Sequence, residues 1–347
     1  MTETETLSDI ATDVVTAVAP ANIALIKYWG VRDEAAVLPA NPSLSMTLDT
    51  CVSRCTARRL DGGVDEIWWR TADGETGPAP QPVADGIRRH LARLREPGGP
   101  PLRIVTGNTF PTAAGIASSA SGFTALTLAV TTLLDGRRPE PDRLSVLSRL
   151  SGSGSAARSA YGGYVRWPAT PEDPAGPAAQ VAPADSFPLC DVIAVVDDRP
   201  KGTSSREGHR RALTSPYFAR RLELLPERTA VVEQALRERD FTRLAEAVET
   251  EAVDLHLIAM SASPATFYWR PATLAVLAAV RALRDGGIDA CATIDAGPNV
   301  HVLTTPERVD EVRRAVGAVP GVLRTLTDAA GDGPCLSDGH LEAPGAV

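Results

Sequence analysis

A run built almost wholly from small and hydroxyl side chains constrains this chain most. It reads Pro111-Thr112-Ala113-Ala114-Gly115-Ile116-Ala117-Ser118-Ser119-Ala120-Ser121-Gly122. A β-like segment, Leu102-Arg103-Ile104-Val105-Thr106, precedes it, and an apolar helix-like segment over 123–134 follows. Such a composition lets the backbone turn tightly and bring bare N–H groups close to a ligand. The helix start behind it leaves orphan N–H donors and the positive end of a macrodipole. A strand, such a turn and a helix together make an anion site, most often for phosphate. The same composition also suits a turn that only packs a helix onto a sheet. On this stretch alone the two readings stand level.

The chain has 347 residues, room for one large domain or two of ordinary size. Its formal net charge of −8 argues against nucleic acid or an anionic membrane as the main partner. An anionic small substrate remains open, because local cations override a net field at a site. Residues 1–13 are acidic and polar and read as a frayed tail, without the basic start and apolar core of a secretory signal. No run of about 18 apolar residues occurs, so no membrane span is expected. Five scattered cysteines, Cys51, Cys55, Cys190, Cys291 and Cys335, read as reduced thiols of a cytoplasmic protein, and no metal site is expected.

Residues 14–19 look like a strand ending at Pro20. Alternation predicts separate strands over 44–48 and 51–56, and another over 67–70. Helical spacing covers 83–95, and a further helix starts at Asp142 as N-cap. Residues 168–186, rich in Pro and Ala, read as a surface excursion and the seam between two halves. Beyond it, strands are expected over 191–196, 290–294, 300–303 and 321–326. Helices are expected over 218–239, 241–256, 272–284 and 306–316. Strands and helices without strict alternation indicate an α+β fold. The expected division is a tail 1–13, a lobe 14–187, a lobe 188–335 and a tail 336–347.

Further runs carry chemistry-bearing residues. Asn22-Ile23-Ala24-Leu25-Ile26-Lys27-Tyr28-Trp29-Gly30 turns from apolar to Lys, Tyr and Trp. Gly152-Ser153-Gly154-Ser155-Ala156-Ala157-Arg158-Ser159 is a second small-residue run carrying a cation. Lys201-Gly202-Thr203-Ser204-Ser205-Arg206 gathers two cations and three hydroxyls. Asp295-Ala296-Gly297-Pro298-Asn299 follows an apolar strand. Each has a plain structural alternative: a loop hydroxyl, a solvated cation, an Asx turn. Their joint presence is harder to explain in that way.

In order and spacing, from about residue 15 to about residue 330, these runs resemble the mevalonate diphosphate decarboxylases, a branch of the GHMP-type small-molecule kinases. The resemblance implies a two-lobe GHMP fold: a ribosomal S5 domain 2-like N-terminal lobe, a ferredoxin-like C-terminal lobe and an active site in the cleft between them. It implies that ATP phosphorylates the tertiary 3-hydroxyl of mevalonate 5-diphosphate, after which phosphate and carbon dioxide leave to give isopentenyl diphosphate. Asp295 would be the general base or orienter, with Arg158 on the substrate carboxylate and Lys27 beside them as the catalytic set. Tyr28, Trp29, Ser153, Ser155 and Arg206 would bind substrate. Ala114, Gly115, Ala117, Ser118, Ser119, Ser121 and Ser205 would bind the nucleotide, with Mg²⁺ bridging its phosphates. A homodimer is expected as well.

Two positions depart from the family pattern. The family reads Lys-Tyr-Trp-Gly-Lys, and its second lysine contacts the substrate diphosphate; here Val31 stands in that place. Bacterial members read Asp-Ala-Gly-Pro-Asn-Val-Lys, and here His301 stands last. Losing one charged contact to a terminal phosphate costs about 1.5–3 kcal/mol, or roughly ten- to a hundredfold in affinity. The resemblance therefore leaves mevalonate 5-phosphate open as an alternative substrate, and a 3-kinase without decarboxylation as an alternative reaction.

Overall fold

Strand β1 (Val14–Ile26) runs straight through Pro20. Its pairing with the long partner strand slips register between Pro20 and Asn22, so the missing proline donor is absorbed at an irregularity rather than ending the strand. The computed structural model describes residues 13–111, 118–199 and 202–344. The hairpin β2 (Val31–Asp33) and β3 (Leu38–Pro39) follows, then β4 (Ser43–Arg59), which joins the two strands expected over 44–48 and 51–56 into one. Next come β5 (Glu66–Arg70), β6 (Thr76–Pro78), α1 (Gln81–Leu94) and β7 (Leu102–Asn108). Helix α2 (Ser118–Asp135) begins five residues before the expected start at 123.

Helix α3 (Pro141–Arg149) has Glu140, not Asp142, at its N-cap position, without a side-chain capping hydrogen bond. Asp142 lies in the first turn, where its carboxylate accepts from the Tyr161 hydroxyl at 2.6 Å. A 3₁₀ turn, Gly154–Ala160, leads to β8 (Tyr164–Trp167) and β9 (Ala179–Ala182). Residues 168–186 are thus not a bare excursion. They return as an edge strand on β8, with Ala178 buried beside Trp167.

The second lobe comprises β10 (Cys190–Val195), α4 (Ser205–Ala212), α5 (Phe218–Glu238), α6 (Phe241–Ser261) and α7 (Pro271–Asp285). It continues with β11 (Ala290–Thr293), β12 (Val300–Thr304), α8 (Val309–Gly317) and β13 (Arg324–Ala329). Its antiparallel sheet has the order β11-β12-β10-β13. The chain then returns to the first lobe. Strand β14 (Cys335–Ser337) pairs with β1, and Leu341 N–H donates to the Thr56 hydroxyl at 2.8 Å, so the expected tail begins within the first sheet and stays tied to it as far as Leu341. That sheet has the order β14-β1-β4-β7-β5-β6, with β8 on β4 and β9 on β8.

The period of two along β10 explains how the lobes join. Ile193 and Val195 face a core shared with Ile23, Leu25, Leu44 and Met46 of the first lobe. Val192 and Ala194 face the other way, against Val276, Val280 and Val312 of α7 and α8. Leu225, Val232, Leu244 and Val248 of α5 and α6 pack into the shared core. The result is the two-lobe α+β arrangement that the resemblance implies, with a cleft at the end of the lobe junction.

Candidate active site

A cleft of about 830 Å³ opens between the lobes. Among the described residues, Lys27, Arg89, Arg93, Arg158, Arg199, Arg206 and Arg210 line it, with the carboxylates Glu34 and Asp295. A protein of net charge −8 that gathers cations in one cleft has built a receptor for polyanions.

Lys27 leaves the end of β1, and Asp295 leaves the end of β11. They meet with Lys27 Nζ 2.6 Å from Asp295 Oδ1. Lys27 is 1% exposed, and its ammonium also donates to the Ala24 carbonyl at 2.7 Å. The Asp-Ala-Gly-Pro-Asn run forms the turn that presents Asp295. Gly297 N–H closes onto the Asp295 carbonyl at 2.6 Å. Asn299 Oδ1 accepts from Val196 and Asp197 N–H, which pins the turn to the end of β10. Burial pushes the Asp295 carboxyl up, but Lys27, then His301 and Arg158, outweigh it and hold it below the usual carboxylate range. Asp295 is therefore ionised and only weakly basic.

Arg158 projects from the 3₁₀ turn and is 2% exposed. Its Nε donates to Ser45 Oγ at 2.9 Å, its Nη2 to Asn22 Oδ1 at 3.2 Å and its Nη1 to Ser43 Oγ. All three partners are neutral, and among the described residues no carboxylate forms an ion pair with it. Burial pulls its pKa down to about 10, still far above neutrality. A buried guanidinium with no carboxylate in direct contact, on a cleft wall, is a site for an anion from outside the chain.

Hydroxyls link the two small-residue runs. Ser153 Oγ lies 3.2 Å from Ser155 Oγ and 3.3 Å from Ser119 Oγ, at the start of α2. Ser118, Ser119, Ser153, Ser155, Ser205 and Arg206 all line the cleft. Gly152 has φ of 92°, and a Cβ there would come 2.6 Å from Arg206 Nη2, so α4 of the second lobe reaches closely over the loop of the first. Ser121 does not belong with these residues. Its side chain is fully buried, 2.7 Å from Ser53 Oγ, because the early start of α2 turns position 121 onto the helix's sheet-facing side. Ala114, Gly115 and Ala117 lie outside the described residues.

Tyr28 and Trp29 form one wall. The Tyr28 ring presses on Gly154, where a Cβ would sit 2.6 Å from it, and meets Trp167 edge-on at 5.4 Å. Burial pushes the Tyr28 hydroxyl well above its usual range, so it is a neutral donor. Trp29 is 2% exposed and packs on Gly208 and His209. His209 was not anticipated. Its Nδ1 accepts from Gly30 N–H at 3.1 Å, and burial pushes it down to about 3, so it is neutral. Glu251 was also missed. It lies on the apolar stripe Leu244, Val248, Leu255 of α6, and a carboxylate at such a position signals a buried ion pair.

Val31 lines the cleft without a charge; Arg210, which lines the same cleft, is held by Glu34 at 3.0 Å. Among the described residues no group of three or more His, Cys, Asp or Glu side chains is arranged to hold a metal ion. The hydroxyls of Ser118, Ser119 and Ser153 are hard oxygen donors. They fit Mg²⁺ held chiefly by phosphate oxygens.

Residues 19–176 match the family model of the diphosphomevalonate decarboxylase-like N-terminal domain. Residues 191–330 match that of the mevalonate 5-diphosphate decarboxylase C-terminal domain. The chain is 37% identical to the human diphosphomevalonate decarboxylase over 332 residues, 88% of this chain and 81% of that protein. It superposes on the mevalonate diphosphate decarboxylase from Staphylococcus aureus with a TM-score of 0.84 and 29% identity, covering 94% and 98% of the two chains. A solved structure of MDDEF in complex with MVAPP, AMPPCP and magnesium gives a TM-score of 0.83 and 31% identity, covering 93% and 98%.

Proposed function

The chain belongs to the diphosphomevalonate decarboxylase family, and on that premise we propose how its own residues carry out the family's reaction. The activity is the ATP-dependent decarboxylation of mevalonate 5-diphosphate to isopentenyl diphosphate, a lyase reaction of isoprenoid biosynthesis.

A tertiary alcohol is a poor leaving group, and phosphorylation makes it a good one. The γ-phosphoryl group passes from ATP to the C3 oxygen, the bond to ADP breaks, and the hydroxyl proton goes to Asp295. Transfer of this kind depends on alignment and charge neutralisation more than on a strong base. An ionised, weakly basic Asp295 suits orientation first and proton acceptance late. Lys27 fixes the carboxylate that does this. The C3–O bond then breaks with its electron pair leaving on phosphate. The C1–C2 electrons form the C2=C3 double bond, and C1 departs as carbon dioxide. Arg158 holds the C1 carboxylate in line for that step, and a planar fork suits a planar anion.

Ser153, Ser155, Tyr28 and Arg206 hold the phosphorylated chain of the substrate, with Trp29 packing behind them. Ser118, Ser119 and Ser205 hold ATP. Mg²⁺ bound with the nucleotide would neutralise charge on the transferring phosphate. Ala114, Gly115 and Ala117 complete the nucleotide loop in this proposal. A homodimer and a cytoplasmic location are part of it too, resting on the resemblance. Among the described residues no helix is long and apolar enough to cross a membrane.

The unpaired, buried Arg158 guanidinium carries the reading, because it calls for an anion at the distance from Asp295 over which the two charges interact. The test is turnover of mevalonate 5-diphosphate by Arg158→Lys. The expected result is continued nucleotide binding with decarboxylation lost; full decarboxylation would refute the assignment. The uncharged Val31 supports a second reading, with mevalonate 5-phosphate as substrate. Comparing kcat/KM for the two substrates decides between them.

A further inference from the structure

Lys27 and Asp295 come from different lobes, yet one helix holds both from behind. On α6, Glu251 Oε1 accepts the Lys27 backbone N–H at 3.2 Å. The Lys27 carbonyl accepts from Arg221 Nη2 at 3.0 Å and Asn41 Nδ2 at 2.9 Å. Glu251 is fully buried and pairs with both Arg221 and Arg228, and Arg228 pairs in turn with Asp254 at 2.8 Å. Five residues further along α6, the His256 imidazole lies within electrostatic reach of the Asp295 carboxylate and backbone. It is 1% exposed, and its ring lies 4.9 Å from that of Trp269. Neither Glu251 nor His256 lines the cleft.

We propose that Glu251 and His256 are positioning residues, which make α6 a common strut that sets the separation of Lys27 from Asp295. A buried ion network is an expensive way to gain stability, since apolar side chains of the same volume often do as well. It is a good way to fix a main chain, because each charged hydrogen bond has one direction. The network ends on the two backbone polar groups of Lys27 itself. Reactivity that depends on alignment is sensitive to shifts of about 1 Å.

The proposal rests on the reading of Lys27 and Asp295 as the reacting pair. It is tested in the full chain by Glu251→Gln and His256→Phe, with Asp295→Asn alongside. The readouts are kcat, KM and the pH dependence of kcat for mevalonate 5-diphosphate. The titratable and charged groups facing Asp295 are Lys27 at the end of β1, Arg158 from the 3₁₀ turn, His301 from β12 and His256 from α6. Loosening Lys27 removes the first of these, so the acid limb of kcat moves to higher pH. The expected result is a kcat lowered about ten- to a hundredfold, KM nearly unchanged and the acid limb raised. His256→Gln, which keeps a polar side chain beside the Asp295 backbone, should recover part of the loss. A lower melting temperature with wild-type kcat and an unmoved acid limb would overturn the proposal, leaving a purely structural network. If Glu251→Gln does not fold, His256→Phe, which keeps a ring against Trp269, decides by the same readouts. Full activity of Asp295→Asn would instead overturn the reading of the pair itself.

Discussion

Lys27 Nζ and Asp295 Oδ1 lie 2.6 Å apart across the junction of the two lobes, each at the end of a strand whose register is fixed by its own sheet. The pair joins the lobes at the point where the chemistry is proposed to occur. Replacing Asp295 by Asn keeps the shape and removes the proton acceptor. The expected loss in kcat is about 10²- to 10⁴-fold, with ATP binding retained. Lys27→Met should also lower kcat, because it frees the carboxylate to move. Steady-state kinetics on both variants checks this.

Arg158 should matter to activity more than to stability. Its burial cost in the free protein offsets its hydrogen bonds to Ser43, Ser45 and Asn22. Arg158→Met is expected to lose about 10²-fold or more in kcat/KM, since truncating a desolvated charge partner costs about 2–5 kcal/mol. Its melting temperature should stay close to wild type. Calorimetry beside kinetics checks both parts.

Val31→Lys adds a cation to the cleft wall, which also carries the Glu34–Arg210 pair. It should lower KM for mevalonate 5-diphosphate by roughly tenfold, by the worth of one charged hydrogen bond, and change KM for mevalonate 5-phosphate less. An equal effect on the two substrates would show that position 31 does not face the terminal phosphate.

The pH dependence has a definite sign. The folded-state pKa of Asp295 is depressed, so its ionised form stabilises the fold above the unfolded carboxylate range of about 4. That contribution is lost as pH falls through the lower, folded value. Wild-type stability should therefore drop below about pH 4 more steeply than that of Asp295→Asn. His90 and His209 on the cleft wall are pushed down to about 3 by burial, so neither adds a rise or fall in activity between pH 6 and about 8. Urea unfolding across pH checks the first statement, and a pH–rate profile the second.

Most of the site was legible because its residues sit in short runs with unusual composition. Lys27, Tyr28, Arg158 and Asp295 could be named from their strings, and all four line one cleft. What failed was local geometry that tertiary packing decides. Ser121 read as part of the phosphate loop because the helix was expected to begin later; with α2 starting at Ser118 it shares a buried face with Ala125 and Leu128. Pro20 read as a strand end because a proline removes a ladder donor, but the register slip after it absorbs the loss. Glu251 was visible as a carboxylate on an apolar stripe, while its partners Arg221 and Arg228 lie on α5 and only the packing of the two helices names them. His209 binds a backbone N–H from another lobe, a contact no local pattern announces.

The most direct test of the central claim is the stoichiometry of turnover. Purified protein with ATP, Mg²⁺ and mevalonate 5-diphosphate should release carbon dioxide, ADP and phosphate in equal amounts. ADP without carbon dioxide, or no turnover of the diphosphate, would contradict it.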